Sequence, residues 1–511
     1  MNIDRRNFLG LVAAAGTAAA LARPTEAAET FELEEITVGE LQNGMREGRF
    51  NAHSLAEAYL QRIDAIDKHG PALNAVIELN PDALRIASEL DEERKQGRVR
   101  GPLHGIPTLI KDNIDTADRM HTSAGSLALA ESIAPHDAAV VTRLRDAGAV
   151  ILGKTNLSEW ANFRSNHSTS GWSGRGGLTK NPYILDRNGC GSSTGTGVAI
   201  SANLAAVGVG TETDGSVVCP SSASGLVGIK PTLGLLGGSG IVPIAHSQDT
   251  AGPMCRTVTD AALLLGVLAG KDYAGALDPN GLRGARIGVA RKYFGFNEHV
   301  DGLMKQAIDA IKRSGATIVD PADMATTGKY DDDELEVLLY EFKADINKYL
   351  ATLGANVRTR TLADLIKFNE EHRAQEMPYF GQDLFVRAET KGPLTDEKYK
   401  KARAKCVRMS RTEGIDKLMK EHKLDAAIAP TGGPVWVTDL VNGDHFSGGY
   451  STASAVAGYP HVTVPAGLVY GLPVGLSFFA GKNSEATLIK FAYAFEQATK
   501  ARRKPSFRPT L

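Results

Sequence analysis

The sequence predicts an α/β fold, in which one large domain is built on a mainly parallel, mixed β-sheet with helices on both faces. Apolar runs of strand length alternate with amphipathic helical patterns, and glycine-rich loops follow several of these runs. Neither a linker nor an internal repeat is visible between residues 29 and 511. Strand–helix–strand alternation favours a parallel sheet, because a parallel crossover needs about the length of a helix.

Composition narrows the range of functions. The chain has 511 residues, of which 42% are hydrophobic and 23% charged, and its formal net charge is −2. Length alone would allow two or three domains. Because there is no basic excess, a nucleic-acid partner is not expected. Glycine is concentrated in residues 171–240, where a backbone without Cβ atoms lets a ligand approach closely.

The N-terminus resembles a twin-arginine export signal. Arg5 and Arg6 precede Asn-Phe-Leu-Gly and an alanine-rich apolar run that ends near Leu21. A membrane anchor is the alternative, but this run is shorter than the roughly 20 residues of a spanning helix. We therefore expect residues 1–28 to be a signal peptide that is cleaved somewhere after Thr25. The mature protein is then expected outside the membrane, in the periplasm or the extracellular space, with the twin-arginine machinery as an export partner.

The first strand–helix–strand unit follows a mostly helical stretch from residue 31 to residue 96. GIPTLIK, residues 105–111, is an apolar run of strand length. A helix begins after Pro135 and ends near Gly148, and AVILGKT follows as the second strand. This order predicts two parallel strands in one sheet.

The pattern repeats after the glycine-rich loop. Residues 195–203 favour a short helix, LAAVGVGT from Leu204 favours a buried strand, and TETDGS is the loop at its carboxyl end. Open α/β sheets usually bind their ligands at that edge. Further helices are predicted over residues 260–268 and 300–314, and further strands at GARIGVA and ATIVD.

A charged stretch without strand patterns extends from residue 331 to residue 421. We interpret it as a helical insertion within the domain formed by residues 29–511. Strand-like runs with glycine and proline between them return at Leu424 and at His461.

The four cysteines are widely separated and show no C-x-x-C spacing, which indicates neither a zinc site nor a disulfide framework. Proteins exported by the twin-arginine route generally fold in the reducing cytoplasm before export. We therefore expect buried free thiols. The cysteines are Cys190, Cys219, Cys255 and Cys406.

Residues 191–195 read GSSTG, a literal G-x-S-x-G that would make Ser193 a nucleophile. In serine hydrolases this motif directly follows an apolar strand, whereas TKNPYILDRNGC is polar and interrupted by proline. Ser193 and Thr194 are therefore interpreted as loop and helix-cap residues. The nearby glycines fit neither of the common phosphate-binding loops, so no nucleotide cofactor is expected.

Lys111 ends the strand GIPTLIK. Desolvation in a partly apolar environment lowers the pKa of a lysine, and a lysine that is neutral near pH 7 can act as a general base. A solvated or salt-bridged residue at the strand end is the alternative interpretation.

Four motifs, in order and spacing, resemble the amidase signature family, and the similarity extends from about residue 31 to about residue 505. Ser192 and Ser216 are 24 positions apart, as the family requires. GTETDGS, in place of the commoner GTDTGGS, resembles the peptide amidase branch. The motifs are Lys111-Asp112-Asn113, Gly191-Ser192-Ser193, Gly210-Thr211-Glu212-Thr213-Asp214-Gly215-Ser216 and Gly228-Ile229-Lys230-Pro231-Thr232.

The resemblance implies a Ser-Ser-Lys triad. It makes Ser216 the nucleophile, Ser192 a bridging serine that follows a cis peptide bond from Gly191, and Lys111 the base. A serine hydroxyl is a weak nucleophile at neutral pH, so Ser216 needs a base to take its proton. No metal and no organic cofactor is implied.

The resemblance also assigns an oxyanion hole to backbone N–H groups, where losing one donor typically costs about 100- to 1000-fold in rate. It further suggests that Gln248 and Asp249 hold the catalytic loops. The side chain of Asp214 has two open roles, since it could contact a substrate amide or only stabilise the turn. The donors belong to Thr213, Asp214, Gly215 and Ser216.

We therefore expect an exported serine amidase that converts a carboxamide to a carboxylic acid and ammonia through an acyl-enzyme, with the C-terminal amide of a peptide as the favoured substrate. A broad amidase for aryl or aliphatic amides is one alternative. A catalytically inactive extracytoplasmic binding protein is another, and the intact Lys111, Ser192 and Ser216 argue against it. The expected partners are small-molecule or peptide amides.

Overall fold

The computed structural model describes residues 32–511, in which an 11-stranded sheet has the order β1-β3-β2-β6-β8-β7-β12-β13-β11-β9-β10. Strands β4 and β5 form a separate small hairpin. The strands are β1 (Val76–Leu79), β2 (Pro107–Lys111), β3 (Val150–Thr155), β4 (Trp172–Ser173), β5 (Gly177–Leu178), β6 (Val207–Glu212), β7 (Val227–Lys230), β8 (Thr250–Cys255), β9 (Arg286–Val289), β10 (Thr317–Val319), β11 (Ala426–Pro430), β12 (His461–Val469) and β13 (Leu472–Phe479).

Every residue of β2, β3, β6, β8, β11 and β13 is buried, so both faces of the sheet are covered there. The α-helices are α1 (Val38–Arg46), α2 (Ala52–Arg62), α3 (Ala83–Lys95), α4 (Ala139–Asp146), α5 (Thr194–Ser201), α6 (Val218–Ala223), α7 (Val258–Ala269), α8 (Glu298–Arg313), α9 (Asp331–Ala351), α10 (Leu362–Glu371), α11 (Arg373–Glu376), α12 (Asp383–Glu389), α13 (Glu397–Val407), α14 (Asp416–His422), α15 (Thr452–Ala457) and α16 (Glu485–Thr499).

The predicted mixed α/β sheet is confirmed, although its parallel part is smaller than expected. Strand β2 is parallel to β3 and β6, and β9 is parallel to β10 and β11. The other neighbouring pairs are antiparallel. Hairpin connections account for part of this difference. Strands β12 and β13 are joined by Tyr470 and Gly471, which both have positive φ, as a tight hairpin turn requires.

Helices α9 to α14 occupy the charged stretch that begins at residue 331. An apolar cluster packs this stretch against the loop that contains Trp160 and Phe163. The ring centroids of Trp160 and Phe385 are 5.8 Å apart, and those of Phe163 and Phe342 are 5.1 Å apart. These contacts fix helix α9 beside the loops described below.

The expectation that all four cysteines are free thiols is wrong for one pair. Cys190 and Cys219 form a disulfide, whereas Cys255 and Cys406 are free and buried. The two bonded residues are 29 positions apart in sequence, but folding brings their Cα atoms to 5.9 Å. Sequence spacing could not reveal this pairing, because it depends on how two distant loops meet.

The predicted signal peptide, residues 1–28, lies outside the described residues, so export stays a prediction. Among the helices of residues 32–511, none has both the length and the apolar character needed to cross a membrane.

Candidate active site

Two of the motif segments meet at one edge of the sheet. Strand β2 ends at Lys111, and β6 ends one residue after Thr211. The two strands are parallel neighbours, with Ile110 opposite Val209. Because the carboxyl ends of parallel strands lie at the same edge, the Lys111 side chain reaches the end of β6.

The Lys111 amine is buried among oxygen atoms. Its Nζ lies 2.8 Å from Ser192 Oγ, 2.8 Å from Thr211 Oγ1 and 3.4 Å from the Thr211 carbonyl oxygen. Burial lowers the pKa of Lys111 to about 7. A neutral amine has two N–H donors and one lone pair. Since both Thr211 oxygens can accept an N–H, the lone pair is free to accept the Ser192 hydroxyl proton.

Thr211 also holds the neighbouring motif residue Asn113, whose Nδ2 donates to Thr211 Oγ1 at 3.0 Å. This role of Thr211 was missed in the sequence. The residue lies inside the matched motif GTETDGS, but nothing in its residue type distinguishes it from an ordinary strand threonine. Thr211 is thus the residue that orients the lysine.

The backbone around Ser192 is tightly packed. The Gly191–Ser192 peptide bond is cis, as the family resemblance implies. The Ser192 carbonyl oxygen accepts from the Ser158 N–H at 3.1 Å. A Cβ atom at residue 191 would lie 2.3 Å from Ser158 Oγ, so only glycine fits there.

Ser193, the centre of the literal G-x-S-x-G, is fully engaged in structural bonds. Its Oγ donates to the Thr211 carbonyl oxygen at 3.0 Å and accepts from the Thr211 N–H at 3.2 Å. Its N–H donates to the Ser216 carbonyl oxygen at 3.2 Å. Although Ser193 precedes helix α5, its side chain makes no capping bond. The residue connects the two motif loops and does not cap the helix.

Ser216 lies in the loop between β6 and α6 and is 8% exposed. No hydrogen bond from residues 32–511 engages its hydroxyl. The preceding Gly215 has φ of +78°, a left-handed conformation that favours glycine. The structure therefore brings Lys111 and Ser192 into direct contact and places Ser216 on the adjoining loop.

The loop from residue 213 to residue 216 is anchored at its far end by Glu212. One oxygen of this buried carboxyl accepts from the N–H groups of Val217 and Val218 at 2.8 and 3.0 Å. In the described part of the chain, the N–H groups of residues 214–216 donate to no protein acceptor. They are therefore available to a developing negative charge, which is what an oxyanion hole needs.

Asp249 holds the start of this loop. Its Oδ1 accepts from Thr213 Oγ1 at 2.6 Å, and its Oδ2 accepts from the N–H groups of Ile244 and Ala245 at 2.8 and 2.9 Å. Burial raises the pKa of Asp249 to about 7. The carboxyl thus ties the loop to the segment before strand β8.

Gln248 connects the same loop to helix α9. Its Nε2 lies 3.3 Å from the Thr213 carbonyl oxygen and 2.8 Å from Glu334 Oε1. The Ser247 N–H donates at 3.0 Å to Glu341, which lies about two helical turns after Glu334 on helix α9. The suggestion that Gln248 and Asp249 hold the catalytic loops therefore has direct contacts behind it.

Asp214 has a structural partner. Its Oδ2 accepts from Thr452 Oγ1 at 2.6 Å, and burial raises the pKa of its carboxyl. A Cβ atom at Gly215 would lie 3.3 Å from Ser451 Oγ. The start of helix α15 therefore lies against this loop, and the Asp214 side chain serves at least to hold it.

Comparisons with known proteins match the part of the chain that forms this site. The model of the amidase family matches residues 54–489. A probable amidase of Arabidopsis thaliana is 42% identical over 503 residues, which cover 94% of this chain and 93% of the plant protein. A putative amidase of Schizosaccharomyces pombe is 35% identical over 526 residues, which cover 95% of this chain and 88% of the yeast protein.

Solved structures show the same likeness. The native peptide amidase of Stenotrophomonas maltophilia is 50% identical, covers 93% of this chain and 99% of its own, and superposes with a TM-score of 0.89. The family match contains the four motifs and the strands that carry them. The chain therefore belongs to the amidase family, and it is an amidase, a hydrolase of amide bonds.

Proposed function

We propose that this amidase hydrolyses the C-terminal carboxamide of peptides to a carboxylic acid and ammonia, through an acyl-enzyme on Ser216. Ser192 and Lys111 form the proton path. The observation that carries the proposal is the 2.8 Å contact between Ser192 Oγ and a buried lysine whose pKa is about 7. Such a lysine can take a proton at neutral pH, which an exposed lysine does not do.

Acylation begins when Ser216 Oγ attacks the carbonyl carbon of the amide. The Ser216 proton passes to Ser192 Oγ while Ser192 gives its own proton to Lys111 Nζ. The carbonyl oxygen gains negative charge, and the backbone N–H groups of the oxyanion loop stabilise it. These groups belong to Thr213, Asp214, Gly215 and Ser216.

Collapse of the tetrahedral intermediate breaks the carbon–nitrogen bond. The proton held by Lys111 returns through Ser192 to the leaving nitrogen, and ammonia departs. Water then attacks the ester carbon, its proton follows the same path to Lys111, and the carboxylic acid leaves as Ser216 recovers its proton. One buried base can serve both half-reactions because each ends with the lysine neutral.

The peptide substrate is supported by the solved peptide amidase, which is 50% identical over 93% of this chain. Solved peptide amidase bound to the competitive inhibitor chymostatin is similarly related, with 51% identity and a TM-score of 0.90. Likeness of this extent includes the segments around the proposed nucleophile, so a related substrate class is the simplest inference.

The test is ammonia release from an N-blocked dipeptide amide and from a simple aryl amide, measured for the wild type and Ser216→Ala. We expect release from the peptide amide by the wild type and a loss of at least about 1000-fold in Ser216→Ala. Thr326→Ala, a substitution in the connection before helix α9, is the matched control and should retain wild-type turnover. Turnover of the aryl amide alone would contradict the peptide substrate. Absence of turnover on both would favour the binding-protein alternative.

A further inference from the structure

The disulfide joins the two loops on which the proposed reaction depends. Cys190 stands two residues before Ser192, and Cys219 stands three residues after Ser216. The bond therefore links the segment that carries the bridging serine to the helix that begins just after the nucleophile. Neither cysteine has a place in the proton path.

At Cys190, the disulfide restrains an uncommon backbone conformation. Cys190 has φ of +54°, although it is not a glycine, and it is followed by the closely packed Gly191. Its N–H donates to Asn188 Oδ1 at 2.7 Å, and its carbonyl oxygen accepts from Thr194 Oγ1. A left-handed non-glycine residue persists only where its surroundings fix it, and here the disulfide adds a covalent restraint to these two hydrogen bonds.

At Cys219, the disulfide is connected to the turn that contains the proposed nucleophile. The Cys219 N–H donates to the Gly215 carbonyl oxygen at 2.7 Å, which closes one helical turn around Ser216. A displacement of Cys219 is therefore expected to displace the backbone of residues 215–219, which includes Ser216.

Direct hydrogen bonds between the two loops are few. Between residues 188–193 and residues 213–219, the described contacts include one direct hydrogen bond, from the Ser193 N–H to the Ser216 carbonyl oxygen at 3.2 Å. Without the disulfide, that single bond, the shared contact with Thr211 and the apolar cluster that contains Cys190 and Ala223 would set the spacing of the serines.

We propose that the Cys190–Cys219 disulfide is a positioning element that sets the distance between Ser192 and Ser216, so that the rate of acylation depends on its redox state. This inference rests on the proposed function. When a dithiol reduces the bond, the sulfur–sulfur bond breaks and two electrons and two protons pass from the dithiol to the cysteine sulfurs. Two protein thiols and one oxidised dithiol result.

The surroundings of the bond allow it to be reduced without unfolding the protein. Cys219 is half-buried and hence reachable, whereas Cys255 and Cys406 are buried. Cys190 packs in an apolar cluster that remains after the bond is broken. Its other members include Tyr183, Ile184, Ala223, Val435 and Leu472. Reduction is therefore expected to loosen the two loops and leave the fold intact.

The first experiment reduces the folded enzyme with a dithiol and counts its accessible thiols. Ammonia release gives kcat and KM, and labelling of Ser216 by a serine-directed phosphonofluoridate gives the reactivity of the nucleophile without an amide substrate. We expect kcat and the labelling rate to fall about 10-fold or more, because a misplacement near 1 Å can cost about 100-fold in rate. KM should stay within about twofold, and reoxidation should restore both rates.

The second experiment removes the bond permanently. The double variant Cys190→Ser/Cys219→Ser should match the reduced wild type and should no longer respond to the dithiol. Cys406→Ser, in helix α13, is the matched control and should keep wild-type rates and the full redox response. Circular dichroism checks that each variant is folded, and if the double variant is not, the reduced wild type decides alone.

Unchanged kcat and labelling in the folded, fully reduced enzyme would overturn the positioning role while leaving the proposed function intact. A reduced enzyme whose loss lies in KM alone would overturn it as well. If ammonia release persists in Ser216→Ala, the proposed function fails and the positioning role fails with it.

Discussion

The buried environment of Lys111 favours the neutral form of its amine, which can accept a proton. Lys111 Nζ faces hydroxyl and carbonyl oxygens, and no carboxylate of residues 32–511 lies within ion-pair distance of it. Desolvation therefore dominates and holds its pKa at about 7. The carboxylates of Asp249 and Glu212 oppose this lowering at Lys111, whereas three carboxylates, those of Glu212, Glu485 and Asp214, oppose it at the buried Lys230, whose pKa falls only to about 8.

The first prediction concerns pH. Because only neutral Lys111 can accept a proton, kcat/KM for ammonia release should rise with pH through about 7 and then level off. Thr211→Val removes the hydroxyl oxygen that accepts a hydrogen bond from Lys111. Because that hydrogen bond stabilises the charged form of the lysine, its loss lowers the pKa of Lys111 further. The rise should therefore move to lower pH by about one pH unit, and the plateau should fall about 10-fold.

Thr211→Ser is the control for this experiment, since it keeps the hydroxyl and should keep both the plateau and the pH dependence. A pH-rate profile measured between pH 5 and pH 9 gives the comparison. A flat profile in the wild type, or an unchanged profile in Thr211→Val, would contradict the role given to Lys111.

For single residues, the sequence motifs predicted some contacts of the site and did not predict others. Lys111 and Ser192, which are 81 positions apart, were predicted to meet and do so at 2.8 Å. The disulfide was not predictable, because it depends on the packing of two loops and leaves no spacing pattern. The bridging role of Ser193 was hidden for the same reason, since its partners Thr211 and Ser216 are reached through space.

At the scale of elements, helix α5 approaches the sheet so closely that it depends on a glycine. A Cβ atom at Gly195 would lie 2.3 Å from the Asn156 carbonyl oxygen and 2.5 Å from the Ala75 carbonyl oxygen. Both are backbone atoms, and the Gly195 N–H itself donates to Asn156 at 3.0 Å. The helix that follows Ser192 therefore has no room for a side chain on this face.

The second prediction follows from that contact. Gly195→Ala should lower the free energy of unfolding by about 1–3 kcal/mol and reduce kcat, because the helix must shift away from strand β3. Gly39→Ala, in helix α1, is the control, since no atom of the described residues lies within 4 Å of its Cβ position. It should raise stability by about 0.5–1 kcal/mol. Urea unfolding of both variants gives the result, and equal stability of the two would contradict the close approach.

Elements with clear periodicity were predictable, and short strands were not. The strand at residues 105–111 and the helix after Pro135 correspond to β2 and α4. Strands β7 and β8 were missed, because VGIK and TAGPMC are short and contain glycine or proline. Their strand conformation comes from antiparallel pairing with each other and with β6 and β12, which no local pattern records.

At the scale of the whole molecule, an ion pair connects segments near the two ends of the amidase domain. Arg502 Nε lies 2.7 Å from Glu35 Oε2, and Arg502 Nη1 donates to the Gly225 carbonyl oxygen at 2.7 Å. The charged group of Arg502 is thus held between the start of the domain and the turn before strand β7. Contacts of this sequence separation restrain the chain as one unit.

The third prediction concerns this contact. Arg502→Met should lower the free energy of unfolding by about 1–3 kcal/mol, since it leaves the Gly225 carbonyl oxygen without its donor and leaves the Glu35 carboxylate with Asn203 as its side-chain donor but without the cation of its ion pair. Arg503→Met is the matched control, because within residues 32–511 the guanidinium of Arg503 bonds only to the nearby carbonyl oxygens of Lys500 and Arg502. Its effect should stay within about 0.5 kcal/mol. Equal unfolding midpoints in urea would show that the ion pair does not restrain the domain.

The fold and the contact between Lys111 and Ser192 together support one central claim, that a carboxamide substrate acylates Ser216. Mass spectrometry of enzyme quenched in acid during turnover of an N-blocked dipeptide amide tests this claim most directly. We predict an adduct with the mass of the acyl group on the peptide that contains Ser216, formed at the rate of the first equivalent of ammonia, and none in Ser216→Ala. An adduct on another residue, or ammonia released at the wild-type rate by Ser216→Ala, would contradict the account.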